Sequence, residues 1–259
     1  SNHHDLMLLL NEDSGGLRGT LEFNLDIFNA ETVVRMMDSF TRLLESIAAD
    51  PGRPIDALLM TGDLERTLLT DTWNDHSRPY PAHKHVAQIF EELAVLHSES
   101  VALVFGDEQM TYAELNSQSN RLAHYLLTQN VEPGARIGLC AERSFEMVVA
   151  TLAILKAGCG YVPLDPGYPE ERLHFMIRDT GMALVLVQDK LEASLGSYNG
   201  ARFSLDSDWP ILMAYSDANP AGDLKPNVAP NSLASIMYTS GSTGKPKGVI
   251  YTRRMMLAS

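Results

Sequence analysis

The chain has 259 residues, of which 45% are hydrophobic, and its 33 acidic and 20 basic residues give a formal net charge of −13 at pH 7. This composition predicts one or two globular domains with apolar cores and argues against a disordered protein. Because nucleic-acid binding needs a basic face that the sequence does not display, we expect no nucleic-acid partner.

The first predicted elements are a strand and a helix within residues 1–50. Residues 20–26 alternate apolar side chains with acidic and amide side chains, which predicts a half-buried strand. Asn29 is a candidate N-cap for the following helix, whose apolar residues recur every three or four positions until Asp50 and Pro51. Since these two elements are too short to cover their own apolar faces, we predict that they end a larger domain.

Residues 51–84 are predicted to be an inter-domain linker. Clusters of proline and glycine flank one short amphipathic stretch, which is expected to form a docked helix. His83 and His85 have no third ligand at the spacing of a metal site, so we predict no zinc site.

From residue 85 onward the pattern alternates helices with apolar strands. Thr111 and Glu114 have the spacing of a capping box at the start of one helix. The predicted elements, in chain order, are a helix near 86–97, strand 101–105, the capped helix, strand 136–140, a helix from Ser144 to Gly158, a helix between Pro169 and Gly181, strand 183–189 and an apolar strand from 233. Apolar strands separated by helices predict an α/β fold with a mostly parallel sheet.

The two cysteines, Cys140 and Cys159, lie in a predicted strand and at a predicted helix end. They lack the spacing of a disulfide framework or a redox motif, so we expect buried thiols of a reducing compartment. No segment reaches the roughly 18 consecutive apolar residues of a membrane span, and the first residues show no basic leader. The sequence therefore predicts a soluble cytoplasmic protein with no membrane partner.

The most informative string is LASIMYTSGSTGKPKGV at residues 233–249, where an apolar strand leads into a loop of glycines, hydroxyls and lysines. Glycines let the backbone approach a phosphate, hydroxyls and amides donate hydrogen bonds, and lysines supply positive charge. The loop is not a Walker loop, because two residues rather than four separate Gly241 from Gly244 and Pro246 replaces the magnesium-binding hydroxyl. A plain flexible turn is the alternative, and the full string favours a triphosphate clamp.

Two more strings precede this loop, MTYAELN at 110–116 and LKAGCGYVPLDPGYPEERL at 155–173. In this order the three strings resemble the core motifs of adenylate-forming enzymes, specifically the adenylation domains of nonribosomal peptide synthetases. YVPLD followed by YP is typical of that branch rather than of the acyl-CoA branch. Residues 17–51 resemble the last strand and helix of condensation domains, and residues 72–81 resemble the linker that follows them.

The resemblance implies a domain organisation. Residues 1–50 would be the C-terminal end of a condensation domain and 51–84 the linker. Residues 85–259 would be the N-terminal part of the large lobe of an adenylation domain, truncated just after the phosphate loop. The family's amino-acid pocket and the catalytic lysine of its C-terminal lobe have no counterpart, so the resemblance assigns no catalytic residue and implies an inactive isolated chain.

The resemblance also implies the parent activity, in which ATP with Mg²⁺ activates an amino acid as an aminoacyl-adenylate. The adenylate is then passed to a phosphopantetheine thiol on a neighbouring carrier domain. The residues implied to contact or shape the ATP phosphate site are Thr239, Ser240, Gly241, Ser242, Thr243, Gly244, Lys245, Lys247 and Gly248. No protein metal ligand is implied.

Some features depart from the family or leave alternatives open. TGD at residues 61–63 has the letters of the family's ribose-contacting motif but lies upstream of the phosphate loop, so we reject it. The last residues, 250–259, lack the histidine that commonly follows the loop. A free-standing acyl-CoA or aryl-acid ligase and a non-catalytic truncated product are the alternative functions.

Overall fold

The computed structural model describes residues 4–76, 78–129, 131–221, 227–239 and 246–258. The contacts within the chain divide it into two compact units, residues 1–78 and 79–259. None of the described helices is both long and apolar enough to cross a membrane.

The first unit contains a β-hairpin and a long helix. Strands β1 (Leu6–Asp13) and β2 (Gly16–Phe23) are antiparallel, and helix α1 covers Ala30–Ala49. The predicted strand at 20–26 is therefore correct only for residues 20–23, which end a longer strand, whereas residues 24–26 leave the strand and Leu25 is exposed. The sequence did not predict β1, because its leucines follow one another without alternation. Asn29 occupies the N-cap position of α1, but its side chain makes no capping hydrogen bond.

A short helix of the first unit packs on α1. Helix α2 (Asp63–Thr67) continues into a single π turn (Leu68–Thr72), which matches the predicted amphipathic stretch. The Leu59 amide donates to Ser46 Oγ of α1 at 3.2 Å. Gly62, in the rejected TGD string, lies next to the Arg42 guanidinium of α1, which is 2.7 Å from the position that a Cβ would take.

The second unit is built on a six-stranded sheet of order β10-β9-β6-β5-β7-β8. Its strands are β5 (Arg136–Cys140), β6 (Gly160–Pro163), β7 (Leu184–Val187), β8 (Arg202–Ser204), β9 (Leu233–Thr239) and β10 (Lys247–Thr252). Five of them are parallel, and β10 runs antiparallel to β9 at one edge. The predicted mostly parallel α/β fold is confirmed.

Helices cover both faces of this sheet, and a small hairpin lies beside it. The helices are α3 (Val86–Leu96), α4 (Tyr112–Thr128), α5 (Phe145–Lys156), α6 (Glu170–Thr180) and α7 (Arg253–Ala258), and the hairpin strands are β3 (Val101–Phe105) and β4 (Glu108–Thr111). Short 3₁₀ turns occupy Ile55–Ala57, Asp189–Leu195 and Trp209–Ala214.

The two apolar cores follow the alternation of the strands. Leu184 and Leu186 belong to the core beneath α4 and α5, whereas Val185 and Val187 belong to the core beneath α6. Since successive side chains of a strand point to opposite faces, β7 contributes to both cores. This explains why β7 is apolar throughout and fully buried.

The hairpin is a departure from the predicted sheet. Residues 101–105 form a strand as predicted, but it pairs only with β4 in a separate two-stranded sheet of the described chain. Gly106 at φ +63° turns the chain back at once, so the strand is not continued towards the large sheet. Val104 and Phe105 accordingly remain more than half exposed.

Candidate phosphate-binding site

The string predicted to bind phosphate joins β9 to β10. Thr239, the last residue of β9, lies opposite Lys247, the first residue of β10. Strand β9 is parallel to β6, with Tyr161 opposite Ser235, so the loop leaves the sheet at the carboxyl edge of its parallel strands. Ligands of open α/β sheets bind at this edge.

The predicted site residues divide into two groups. Thr239, Lys247 and Gly248 are described, and all three are solvent-exposed at the two ends of the loop. The remaining predicted residues lie outside the described part of the chain, namely Ser240, Gly241, Ser242, Thr243, Gly244 and Lys245. The geometry therefore defines where the loop starts and returns.

Tyr238, just before the loop, was not singled out by the sequence analysis. Its Oη donates to Asp179 Oδ2 of α6 at 2.5 Å, and its ring meets Phe175 edge-on at 6.3 Å between centroids. Burial raises the pKa of Tyr238, and so do the hydrogen bond to Asp179 and the charge of Asp179. The phenol therefore stays protonated and remains a donor at neutral pH.

Gly248, on the returning strand, lies directly opposite Tyr238. A Cβ at this position would lie 2.9 Å from Ile236 Cγ2 and 3.2 Å from the Tyr238 ring. Contacts this short require neighbouring atoms to move, so the glycine permits the close approach of the two strands at the base of the loop.

A cleft of about 500 Å³ lies at the carboxyl ends of β5 and β6. Its polar lining comes from Glu142, Arg143, Thr151, Tyr161 and Asp165, and the rest of the lining is mostly apolar. A cleft of this size suits a small molecule. Asp165 also accepts from the Gly167 amide at 2.9 Å, so part of its role is to form the turn after β6.

The strand order reverses between β5 and β7, where α/β sheets often bind ligands. Here side chains bridge the crevice. The buried Gln188 accepts from the Glu142 amide through Oε1 at 2.8 Å, and Lys190 forms an ion pair with Glu142. The side chains of Gln188 and Lys190 therefore cross the crevice between β5 and β7, whereas the string at 233–249 leaves the sheet at the end of β9.

After β10 the chain is held by Arg253, in the stretch that lacks the family's histidine. Arg253 is 2% exposed, and its Nη2 donates to the Cys159 carbonyl oxygen at 3.0 Å. Burial lowers the pKa of this guanidinium to about 10, which leaves it charged at neutral pH. The contact joins the start of α7 to the string at 155–173.

The residues that the structure describes contain no group of three or more His, Cys, Asp or Glu side chains that could hold a metal ion. His85 caps α3 by accepting from the Gln88 amide at 3.3 Å.

The parallel sheet and the glycine-rich, lysine-bearing loop at its carboxyl edge define an α/β protein with a candidate phosphate site. Residues 90–259 match the family described as "AMP-binding enzyme". This match covers more than half of the chain, and the chain belongs to that family.

Individual relatives agree with this assignment. One of the linear gramicidin synthase proteins of Brevibacillus parabrevis is 43% identical over 251 residues, which are 97% of this chain. The AMPPNP-bound crystal structure of the nonribosomal peptide synthetase FmoA3 is 27% identical with a TM-score of 0.71 over 96% of this chain. The N-terminal subdomain of Klebsiella oxytoca NpsA, in complex with 3-hydroxybenzoyl-AMSN, is 27% identical with a TM-score of 0.59 over 70% of this chain.

The chain is much shorter than these relatives. It spans 5% of the length of the gramicidin synthase protein, 26% of the crystallised FmoA3 chain and 44% of the NpsA subdomain chain.

Proposed function

We propose that this chain is part of the adenylating region of a nonribosomal peptide synthetase, and that the whole protein activates an amino acid with ATP. The observation that carries the proposal is the position of the signature loop. It leaves β9 at the carboxyl edge of a parallel sheet, and its two ends, Thr239 and Lys247, face each other across the β9–β10 pair.

The proposed reaction is phosphoryl substitution. An oxygen of the amino-acid carboxylate attacks the α-phosphorus of ATP, the new oxygen–phosphorus bond forms, and the bond to the β-phosphate oxygen breaks, so pyrophosphate leaves. The products are an aminoacyl-adenylate and pyrophosphate. Negative charge on the phosphoryl oxygens then favours a site with amide donors, hydroxyls and ammonium groups.

Each loop residue has a proposed role. The hydroxyls and amides from Thr239 to Gly244 donate to phosphate oxygens, Lys245 supplies positive charge there, and Lys247 and Gly248 shape the returning strand. Magnesium would bind with ATP and neutralise phosphate charge.

The wider context is also a proposal. Residues 1–50 would end a condensation domain, residues 51–84 would form the linker, and residues 85–259 would begin the adenylation domain. The match to a gramicidin synthase over 97% of this chain supports this order, since it includes the residues before the AMP-binding match. A carrier domain with phosphopantetheine would accept the acyl group, and the free buried thiols Cys140 and Cys159 suit the reducing cytoplasm.

The second candidate is a free-standing acyl-CoA or aryl-acid ligase. Its support is the resemblance to the NpsA subdomain, whose structure contains 3-hydroxybenzoyl-AMSN. That match covers 70% of this chain, whereas the match to the gramicidin synthase covers 97%. The broader coverage favours the peptide synthetase.

The experiment is pyrophosphate exchange into ATP by the full-length protein that contains this chain, with a panel of amino acids, aryl acids and fatty acids. We expect exchange that depends on one or a few amino acids. Exchange with aryl or fatty acids alone would favour the second candidate, and no exchange with any acid would contradict both.

A further inference from the structure

Three elements of the second unit meet at Tyr238, the residue before the phosphate loop. Helix α6 contributes Asp179 and Phe175, and β10 contributes Gly248, which lies opposite Tyr238 in the strand register. We call these four residues the Tyr238 clasp. It lies next to Thr239, so it contacts the backbone on both sides of the loop.

Within the clasp, the ring of Tyr238 makes packing contacts and its hydroxyl makes a hydrogen bond. Phe175 and Gly248 fix the position of the ring, the first by an edge-on contact and the second by leaving room for it. The hydroxyl then donates to the Asp179 carboxylate at 2.5 Å. A hydrogen bond to a charged acceptor is shorter and stronger than one between neutral groups.

The hydrogen bond is not needed to hold α6 in place. Helix α6 is anchored by Leu173, Met176 and Ile177, all of which are buried in the core on its face of the sheet. It ends at Gly181 in the left-handed conformation at φ +56°. Asp179 itself is exposed, so its contact with Tyr238 can be removed without opening the core.

We propose that Tyr238 and Asp179 are positioning residues of the phosphate loop. Their hydrogen bond holds the end of β9 against α6, so that Thr239 begins the loop in one orientation. The inference rests on the proposed function, because it assigns the pair to the same site. Small displacements of groups that orient a reacting phosphate lower rates strongly.

The test uses the full-length protein and three substitutions in the clasp. Tyr238→Phe keeps the ring and removes the donor, Asp179→Ala removes the acceptor, and Asp179→Asn keeps a neutral acceptor. We expect kcat/KM for ATP in the exchange reaction to fall about tenfold in the first two, as for loss of one charge-assisted hydrogen bond, and less in the third.

A double-mutant cycle separates a shared role from two independent ones. If the pair acts through its hydrogen bond, the double variant Tyr238→Phe with Asp179→Ala falls no further than either single variant. Additive losses would overturn the pairing. The matched control is Tyr198→Phe, which removes a hydroxyl that donates to the Ala201 carbonyl at 3.2 Å, outside the clasp. It is expected to leave exchange unchanged.

A second measurement is independent of catalysis. Deuterium uptake by peptides that contain Thr239 and Lys247 is expected to rise in Tyr238→Phe relative to Tyr198→Phe, without any ligand. Unchanged uptake together with wild-type exchange would overturn the inference. If the wild-type protein shows no exchange, the proposed function fails, whereas the uptake comparison still decides whether the clasp orders the strand ends.

Discussion

At the end of α5, the buried Lys156 ammonium donates to uncharged oxygen atoms. Lys156 is 4% exposed. Its Nζ lies 2.6 Å from Asn116 Oδ1, 2.6 Å from Asn120 Oδ1 and 2.8 Å from Ser119 Oγ. Burial lowers the pKa of Lys156 to about 7, an effect that the charge of Glu91 opposes. The contact with Asn116 joins the string at 110–116 to the string at 155–173.

The lowered pKa of Lys156 predicts a pH-dependent stability. The folded chain releases this proton near pH 7 and the unfolded chain near 10.5, so the unfolded chain binds more protons between these values. The contribution of Lys156 to the free energy of unfolding therefore rises with pH in that interval and is lowest below pH 7. The thiols Cys140 and Cys159, whose pKa values burial raises from 9.0 to about 11, act in the opposite sense above pH 9.

The measurement is urea unfolding at several values between pH 7 and 9, where the Lys156 contribution is clearest. Lys156→Met fills a similar volume without the titrating group, so its free energy of unfolding is expected to rise less across this range than that of the wild type. Parallel curves for the two proteins would show that Lys156 does not titrate as its burial implies.

The sequence could not predict contacts between residues that lie far apart in the chain. Tyr238 and Asp179 are 59 positions apart, and their contact requires α6 and β9 to be placed in three dimensions. The acceptors around Lys156 likewise lie on another helix. The chemical character of the loop could be predicted, because glycine, hydroxyl and lysine residues follow one another directly in the chain.

Helix α4 shows how far local sequence determines an element. The Glu114 amide donates to Thr111 Oγ1 at 3.2 Å, and the Thr111 amide donates to Glu114 Oε2 at 2.8 Å, so the predicted capping box is present. Both partners lie within four residues, and neither depends on the tertiary fold. Ser144, where the next helix was predicted to begin, caps α5, since its Oγ accepts from the Met147 amide at 3.2 Å.

Removal of the α4 cap gives a stability prediction for this element. Thr111→Ala leaves the first-turn amide without its side-chain acceptor and is expected to lower the free energy of unfolding by about 1 kcal/mol. Thr111→Ser retains the hydroxyl and serves as the control, with a much smaller change. Equal losses in the two variants, measured by urea unfolding, would show that the hydroxyl is not what stabilises the helix start.

The pairing of β6 with β9 depends on the absence of a side chain at Gly160. A Cβ there would lie 2.4 Å from Leu233 Cγ and 2.5 Å from Leu233 Cδ2. Gly160→Ala is therefore expected to destabilise the second unit by about 1–3 kcal/mol through overpacking. Adding Leu233→Ala removes the clashing atoms and should recover part of that loss, whereas a further full loss in the double variant would contradict the steric explanation.

The partner with which a strand pairs was harder to predict than the presence of the strand. The apolar run at 101–105 could not reveal that it belongs to a hairpin, because the four-residue partner β4 carries little periodic signal. Strand β6 is equally short and was not predicted. The parallel sheet as a class was predictable, because short apolar strands alternate with helices along the chain.

In the folded second unit, contacts connect the three sequence strings at 110–116, 155–173 and 233–249. Lys156 contacts Asn116, Arg253 contacts the carbonyl of Cys159, and β6 pairs with β9. These contacts lead from α4 to the strand that ends at the phosphate loop. The strings are therefore connected through packing, which the order of motifs in the sequence could not show.

We propose that the loop from Thr239 to Gly248 binds the phosphates of ATP during adenylation. Amino-acid-dependent pyrophosphate exchange by the full-length protein tests this role when it is compared between the wild type, Lys245→Ala and the control Lys84→Ala. Lys84 forms an ion pair with Glu92 and has no proposed part in phosphate binding, so its loss should have little effect. We predict that Lys245→Ala lowers exchange about a hundredfold or more with an unchanged Tm. Wild-type exchange by Lys245→Ala would contradict the claim.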